Sequence, residues 1–304
     1  MDKLVLHQEL LKFMSSERVL LDEPMKKHTS FKIGGPADLL LIPNTIEEIQ
    51  KIIDLCREKN APFFVMGNGS NLLVRDKGLR LVVIKIAENF NRVCIEGSKI
   101  TAQAGVLLSS LSKAALKESL SGLEFASGIP GTLGGAITMN AGAYGGEMKD
   151  VVTACKVIDR EGQIRELSIE AIEMGYRTSI IQKLQYIVLE VEMKLEKEDY
   201  MVIKDKVDEL NLQRTTKQPL HLPSAGSVFK RPEGFFAGKL IQDSNLKGYK
   251  VGGAQVSELH SGFIVNVDNA TAEDVISLIK HIQQEVKRRF DVELHTEVKI
   301  IGEE

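Results

Sequence analysis

The chain has 304 residues, 43% hydrophobic and 27% charged, with a formal net charge of −3, which is the composition of an ordinary globular protein long enough for two or three domains. The slight acidity argues against nucleic-acid binding as the main role, and no stretch approaches the ~20 apolar residues that span a bilayer. The first residues carry Asp2, Lys3, Glu9 and Lys12 and lack the apolar centre of a signal peptide.

Three cysteines, Cys56, Cys94 and Cys155, show no C-x-x-C spacing. They read as reduced, buried residues of a cytoplasmic protein, and no metal site is expected. Leu6, Leu10, Leu11 and Met14 predict a short amphipathic helix over 4–14. Asp38 to Ile42 reads as a buried strand. Thr45-Ile46-Glu47-Glu48 then opens a helix with Ile46, Ile49, Ile52, Ile53 and Cys56 on one face. Pro62 to Met66 completes a βαβ unit, so Gly67 to Val74 lies off the carboxyl end of a strand, where parallel folds hold ligands.

Leu81 to Ile86 is a further strand, and from about Asn91 shorter strands follow at 99–103, 151–158, 163–167 and 187–195. Asp159-Arg160-Glu161-Gly162 forms a hairpin turn. A helix carrying Leu107, Leu108, Leu111, Ala114 and Ala115 precedes a glycine-rich run. The charged stretch Glu196-Lys197-Glu198-Asp199 marks a domain boundary. Beyond it come helices at 205–214 and Ala237 to Asp243, a strand at 262–267, and a capped helix from Thr271 with Val275, Leu278, Ile279, Ile282, Val286 and Phe290 on one face. A closing strand runs from Glu297 to Ile301.

Two stretches stand out chemically. Gly67-Asn68-Gly69-Ser70-Asn71-Leu72 lets the chain bend and leaves backbone amides uncovered, as in an anion nest for phosphate. A plain strand turn is the alternative, since Leu72 replaces the third glycine of G-x-G-x-x-G. Gly128-Ile129-Pro130-Gly131-Thr132-Leu133-Gly134-Gly135-Ala136 leads to Asn140-Ala141-Gly142-Ala143-Tyr144-Gly145-Gly146. Such glycine density costs backbone entropy and suits close approach to a ligand. A small-residue helix packed on a sheet would explain part of it.

With Thr29-Ser30-Phe31-Lys32-Ile33-Gly34-Gly35 upstream, these stretches resemble the FAD-binding domain of the vanillyl-alcohol-oxidase-type flavoproteins. The full motif set, from about Thr29 to Gly302, resembles the UDP-N-acetylenolpyruvoylglucosamine reductases of bacterial cell-wall synthesis. The resemblance implies an α+β chain in three parts. Residues 1–90 and 91–198 would form two FAD-binding subdomains, with a closing strand at 297–302 returning to the second. Residues 199–296 would form an α+β substrate-binding domain. Non-covalent FAD is implied at Thr29, Ser30, Ile33, Gly67 to Leu72, Gly128 to Thr132, Gly134, Gly135, Ala136, Asn140, Gly142, Ala143, Tyr144 and Arg214.

By residue type alone, Arg177 in Gly175-Tyr176-Arg177-Thr178-Ser179 is a surface or ion-paired arginine or a carboxylate fork. Ser227 is a small-residue turn with no histidine base in a G-x-S-x-G context, and Glu297 is a strand-end carboxylate. The resemblance makes Arg177 and Glu297 catalytic and Ser227 the proton donor. It assigns Tyr176, Lys217, Lys230, Arg231 and His260 to the substrate. Arg231 stands where the family commonly has Asn, and Leu259 where it often has Lys. The short spacing from Tyr176 to Ile187 matches members without a substrate-covering tyrosine insertion. The implied reaction is NADPH-dependent reduction of UDP-N-acetylglucosamine enolpyruvate by a cytoplasmic monomer, with no nucleic-acid partner and no membrane insertion. An FAD oxidase of the same fold and a non-catalytic nucleotide-binding regulator are the rival readings.

Overall fold

The computed structural model describes residues 2–304. Helix α1 (Lys3–Leu10) starts where the Asp2 carboxylate accepts the Leu4 and Val5 amides, and it ends four residues earlier than expected. Strands β1 (Val19–Pro24) and β2 (Pro36–Leu41) precede α2 (Ile46–Glu58). The Thr45 hydroxyl accepts the Glu48 amide at the mouth of α2, whose inner face buries Ile49, Ile52, Ile53 and Cys56. Then come β3 (Phe63–Met66), β4 (Leu72–Val74), β5 (Leu79–Lys85), β6 (Val93–Glu96), β7 (Lys99–Gln103), α3 (Leu108–Lys117) and α4 (Leu133–Thr138). Strands β8 (Val152–Ile158), β9 (Ile164–Ser168) and β10 (Ile187–Lys194) lead to α5 (Tyr200–Lys217). The chain ends with β11 (Ser224–Ser227), α6 (Ala237–Asp243), β12 (Lys250–Val251), β13 (Ala254–Val256), β14 (Phe263–Asn266), α7 (Ala272–Phe290) and β15 (Lys299–Ile301).

The chain folds into two compact units, each assembled from separate segments. The first comprises the chain up to Leu21, Leu39–Asn68 and Leu81–Arg214; the second comprises Asp22–Asp38, Gly69–Arg80 and Thr215–Glu304.

In the first unit β3 runs parallel to β5, with Phe63 opposite Val82 and Met66 opposite Lys85, in a sheet of order β1-β2-β5-β3. A second sheet, β9-β8-β10-β7-β6, is antiparallel throughout. The expected hairpin joins β8 to β9, closed by the Asp159 amide on the Gln163 carbonyl. One continuous apolar core runs from Leu6 and the α2 face to Val191 and Met193. The charged stretch after Leu195 is ordered: Glu196 and Lys197 pair with Ser121 and Leu120, and α5 starts at Tyr200 rather than at 205. Cys56 and Cys155 are buried, and loss of solvent pushes both thiols up to about 12. Cys94 is the departure: it is exposed on β6, an edge strand, where only one side of the ladder is covered.

In the second unit the antiparallel sheet β11-β14-β13-β12 shares a core with α7, which buries Val275, Leu278, Ile279, Ile282 and Val286. Phe290, expected on that face, is 37% exposed, because Asp291 takes a left-handed conformation (φ 56°) and ends the helix there. Thr271 and Asp274 form a reciprocal capping box, and Asp76 accepts the next two amides, Ala272 N–H at 2.9 Å and Glu273 N–H at 3.1 Å. The closing strand does not return to residues 91–198. It lies parallel to β4, with Lys299 opposite Leu72 and Ile301 opposite Val74. The reason is local: β4 is buried along its length and its unpaired edge needs a ladder, which Lys299 N–H to Asn71 O and Arg75 N–H to Ile301 O complete.

Candidate functional site

In the first unit the two glycine-rich stretches touch. A Cβ on Gly67 would lie 2.1 Å from Thr132 Oγ1, so only glycine allows the approach. Asn68 Nδ2 donates to the Pro130 carbonyl at 3.2 Å. Leu133 and Gly134 amides are engaged by Val106 O and Ala104 O, so they serve packing. A Cβ on Gly135 would meet only Thr132 Oγ1, at 3.6 Å, which leaves that backbone open. Gly128 is held by Arg214, whose Nη1 donates to its carbonyl at 2.7 Å. Arg214 is buried, which lowers its pKa, and its guanidinium lies 5.7 Å from the Tyr144 ring centroid.

The stretch then forms a tight hairpin, with Gly142 opposite Glu147 and Ala143 opposite Gly146. Tyr144 (φ 54°) and Gly145 (φ 89°) form its turn, a type that favours Asn-Gly. Tyr144 occupies the first position and shows 41% of its surface to solvent. The Gly175-Tyr176-Arg177-Thr178 segment is a second two-residue turn, closed by Gly175 and Thr178 bonding each other's backbones. Arg177 sits at its left-handed position (φ 54°), and Nη2 donates to Gly142 O at 3.2 Å.

The second unit gathers a different set. Thr29 Oγ1 donates to Ile33 O at 3.0 Å, and the Ser30 amide donates to Gly69 O at 3.2 Å. Asn71 Nδ2 donates to the Glu297 carbonyl at 3.1 Å. Glu297 N–H in turn donates to Val228 O at 2.7 Å, and Lys230 N–H to His295 O at 2.9 Å. The segment bearing Ser227 and Lys230 thus pairs with the segment bearing Glu297, and the 29–33 and 69–72 turns join the same group.

Ser227 is exposed at the end of β11, opposite Phe263, after a break in register at Gly226 (φ 76°). Its Oγ lies 3.7 Å from where a Cβ on Gly262 would stand. His260 flanks the same glycine: its Nδ1 accepts the Gly262 amide at 3.1 Å, and its ring meets Phe263 edge-on at 5.0 Å. Burial lowers the His260 pKa. Arg231 stacks on Phe236 at 4.0 Å and donates Nε to Phe235 O at 3.3 Å. Lys217 is exposed at the last residue of α5. Two residues join these neighbourhoods that the motifs did not single out. Asn211 Oδ1 accepts from Ser127 Oγ at 3.0 Å and would lie 3.2 Å from a Cβ on Gly128; its place three residues before Arg214 on one helix was the available signal. Ser261, buried beside His260, keeps its Oγ without a partner and carries no sequence signal at all.

Glycine backbone without covering side chains at 135 and 145, in the stretch that also holds the buried Arg214, fits a pyrophosphate-bearing dinucleotide. No cluster of His, Cys, Asp and Glu among the described residues could hold a metal, and no helix among them is long and apolar enough to cross a membrane.

Residues 37–168 match the FAD binding domain family, and residues 218–301 match the UDP-N-acetylenolpyruvoylglucosamine reductase C-terminal domain. The chain is 64% identical to the UDP-N-acetylenolpyruvoylglucosamine reductase of Alkaliphilus metalliredigens over all of both proteins. It is 56% identical to that of Clostridium botulinum strain Hall over 96% of this chain and 95% of the relative. Among solved structures, the reductase from Thermus caldophilus superimposes with a TM-score of 0.81 at 36% identity, over 94% of this chain and 99% of that one. With both of its halves matched and its full length shared at such identity, the chain belongs to the UDP-N-acetylenolpyruvoylglucosamine reductase family.

Proposed function

We propose that the protein reduces UDP-N-acetylglucosamine enolpyruvate to UDP-N-acetylmuramate, with NADPH as electron donor, in peptidoglycan precursor synthesis. The observation that carries this is the 64% identity over the whole of both chains; the FAD-domain match over 37–168 supplies the cofactor. FAD, when bound, would supply the hydride-transfer chemistry between NADPH and carbon 3 of the enolpyruvyl ether.

The chain's own residues do the rest. Hydride at carbon 3 pushes charge onto the carboxyl end of the substrate, and Arg177, with a protonated or hydrogen-bonded Glu297, stabilises that enolate as a preorganised donor set. Ser227 Oγ gives its proton to carbon 2. Serine is a weak acid, so its donation requires help from a cation such as Lys230, three residues along the chain, or from a relayed proton. Tyr176, Lys217, Lys230, Arg231 and His260 hold the anionic sugar nucleotide. The turns at 29–33, 67–72, 128–136 and 140–144, with Arg214, hold the flavin non-covalently, as the open backbone at Gly135 supports. The proposed division of labour is three-part, with 1–90 and 91–198 for the cofactor and 199–296 for the substrate. The reaction is placed in the cytoplasm, on a monomer; three free cysteines agree with a reducing compartment.

The test is direct. Purified protein should be yellow, release intact FAD on acid treatment, and oxidise NADPH only when the enolpyruvyl substrate is added. Rapid NADPH oxidation with oxygen alone would favour the oxidase reading, and a colourless protein that FAD cannot reconstitute would end both.

A further inference from the structure

Asn140 lies within the glycine-rich stretch assigned to the flavin, yet its side chain is entirely buried. Its Nδ2 donates to Glu147 Oε2 at 2.6 Å and to the Gly175 carbonyl at 3.2 Å, while its Oδ1 accepts the Lys149 amide at 3.0 Å. Both amide hydrogens and one oxygen lone pair are therefore occupied inside the protein. Asn is also among the few residues at ease in the left-handed conformation found here (φ 44°).

The partners of this group converge on one place. Gly175 opens the turn that carries Arg177, and Asn140 holds its carbonyl. Ser179 closes the turn on the other flank; it is fully buried, and its Oγ donates to Thr138 O at 2.7 Å. Arg177 itself reaches back to Gly142 O. Three hydrogen bonds, from Ser179, Asn140 and Arg177, thus tie the 175–179 turn to residues 138–142, and the turn holds an arginine in a conformation that glycine prefers. A strained residue persists where its surroundings over-determine it.

We propose that Asn140 and Ser179 are positioning residues for Arg177: they fix the turn that aims its guanidinium, and Asn140 makes no side-chain contact with the flavin. This rests on the reading that Arg177 stabilises the enolate. The clamp makes the glycine-rich stretch serve two purposes, its backbone facing the cofactor and its one buried amide side chain facing the catalytic turn.

The test uses the full-length holoenzyme and stopped-flow absorbance of the flavin, with FAD content and Tm recorded for each variant. Asn140→Ala should slow reoxidation by substrate about 10–100-fold, the scale of a displaced catalytic group, and Ser179→Ala about 3–10-fold by the same loosening. Reduction by NADPH should stay within about twofold in both, since that step precedes substrate. In an Arg177→Ala background neither change should slow reoxidation further, because residues acting through one group are not additive. Multiplying effects in the double variants would overturn the proposal, as would equal slowing of both half-reactions with loss of FAD. Should Asn140→Ala not fold, the Ser179→Ala cycle decides alone. Arg177→Ala that reoxidises like the parent would sink the role of Arg177 itself; slow Arg177→Ala with parental clamp variants would sink only the clamp.

Discussion

The two halves of the machinery are built by different means. In the first unit, the groups around Gly67, Thr132, Asn140 and Arg177 are arranged by backbone: glycines that permit close approach, left-handed residues at turn positions, and carbonyls as hydrogen-bond partners. In the second, Ser227 and Glu297 are single side chains on backbone that pairs with its neighbours through its own amides and carbonyls. Backbone-built sites bind, because uncovered amides are spread along a surface. Side-chain sites react, because one hydroxyl or carboxylate is brought to one atom. Damage to the glycine backbone of the first should cost the cofactor or the fold, whereas loss of a single reacting side chain, Ser227 or Glu297 in the second or Arg177 in the first, should cost chemistry alone.

The largest expected effect tests the second half of that contrast. Ser227→Ala should still be reduced by NADPH at close to the parental rate, since no proton donor is needed before substrate binds. Reoxidation by the enolpyruvyl substrate should fall by about 10²–10⁴-fold, the range for a lost general acid. Equal slowing of both half-reactions would show that Ser227 positions the flavin or the nicotinamide instead.

Next comes the backbone side. In Gly67→Val the new side chain would collide with Thr132, whose Oγ1 is 2.1 Å from the Cβ position. Forcing the stretches apart should destabilise the protein by about 1–3 kcal/mol and empty the flavin site. Thermal denaturation and the protein-to-FAD absorbance ratio would read both. Normal FAD content with normal stability would remove this contact from the cofactor site.

A smaller change should touch stability without touching either site. The Thr271 amide, helped by that of Gly253, holds the Asp274 carboxyl below the usual range. A lowered folded pKa gives stability that is fully present above the unfolded value near 3.8 and fades as pH falls through the lower folded value. Loss of the capping-box hydrogen bonds in Asp274→Ala should cost about 1 kcal/mol at pH 7, and the difference from the parent should shrink below about pH 4. A gap that stays constant down to pH 2 would mean the cap does not act through its charge.

The smallest expected shift is in Arg177→Gly. Relief of the left-handed residue offsets the lost bond to Gly142, so stability should move by less than about 1 kcal/mol, while substrate turnover collapses. A large loss of stability would make Arg177 a structural residue.

This contrast also explains what could be read in advance. Glycines announce backbone requirements, so the 67–72 and 128–146 stretches stand out in the sequence as places of close approach, which the Gly67–Thr132 contact bears out. The caps of α2 and α7 were equally plain, because Thr45 and Thr271 precede apolar faces at helical spacing. Ser227 and Glu297 were not visible as physics: a serine in a small-residue turn and a glutamate at a strand end have no local signature, and only the family resemblance singled them out. The partner of the closing strand was unreadable for another reason, since a three-residue parallel pairing across a long loop is set by which buried edge is open. The resemblance implies Asn140 for the cofactor, and its buried bonds to Glu147 and Gly175 appear only once the two turns are folded.

The pairing of β15 with β4 has a consequence for how the protein is made. Asn71 and Glu297, which bond across that junction, are 226 residues apart. At about 5–20 residues per second on a ribosome, the 69–72 turn emerges roughly 10–45 s before its partner. During that interval β4 is an open, apolar edge in a nascent chain, while the segments of the first unit, Leu39–Asn68 and Leu81–Arg214, can already fold. Contacts so distant along the chain make for slow closure. The second unit should therefore be the last to form, and flavin should be captured only after synthesis ends.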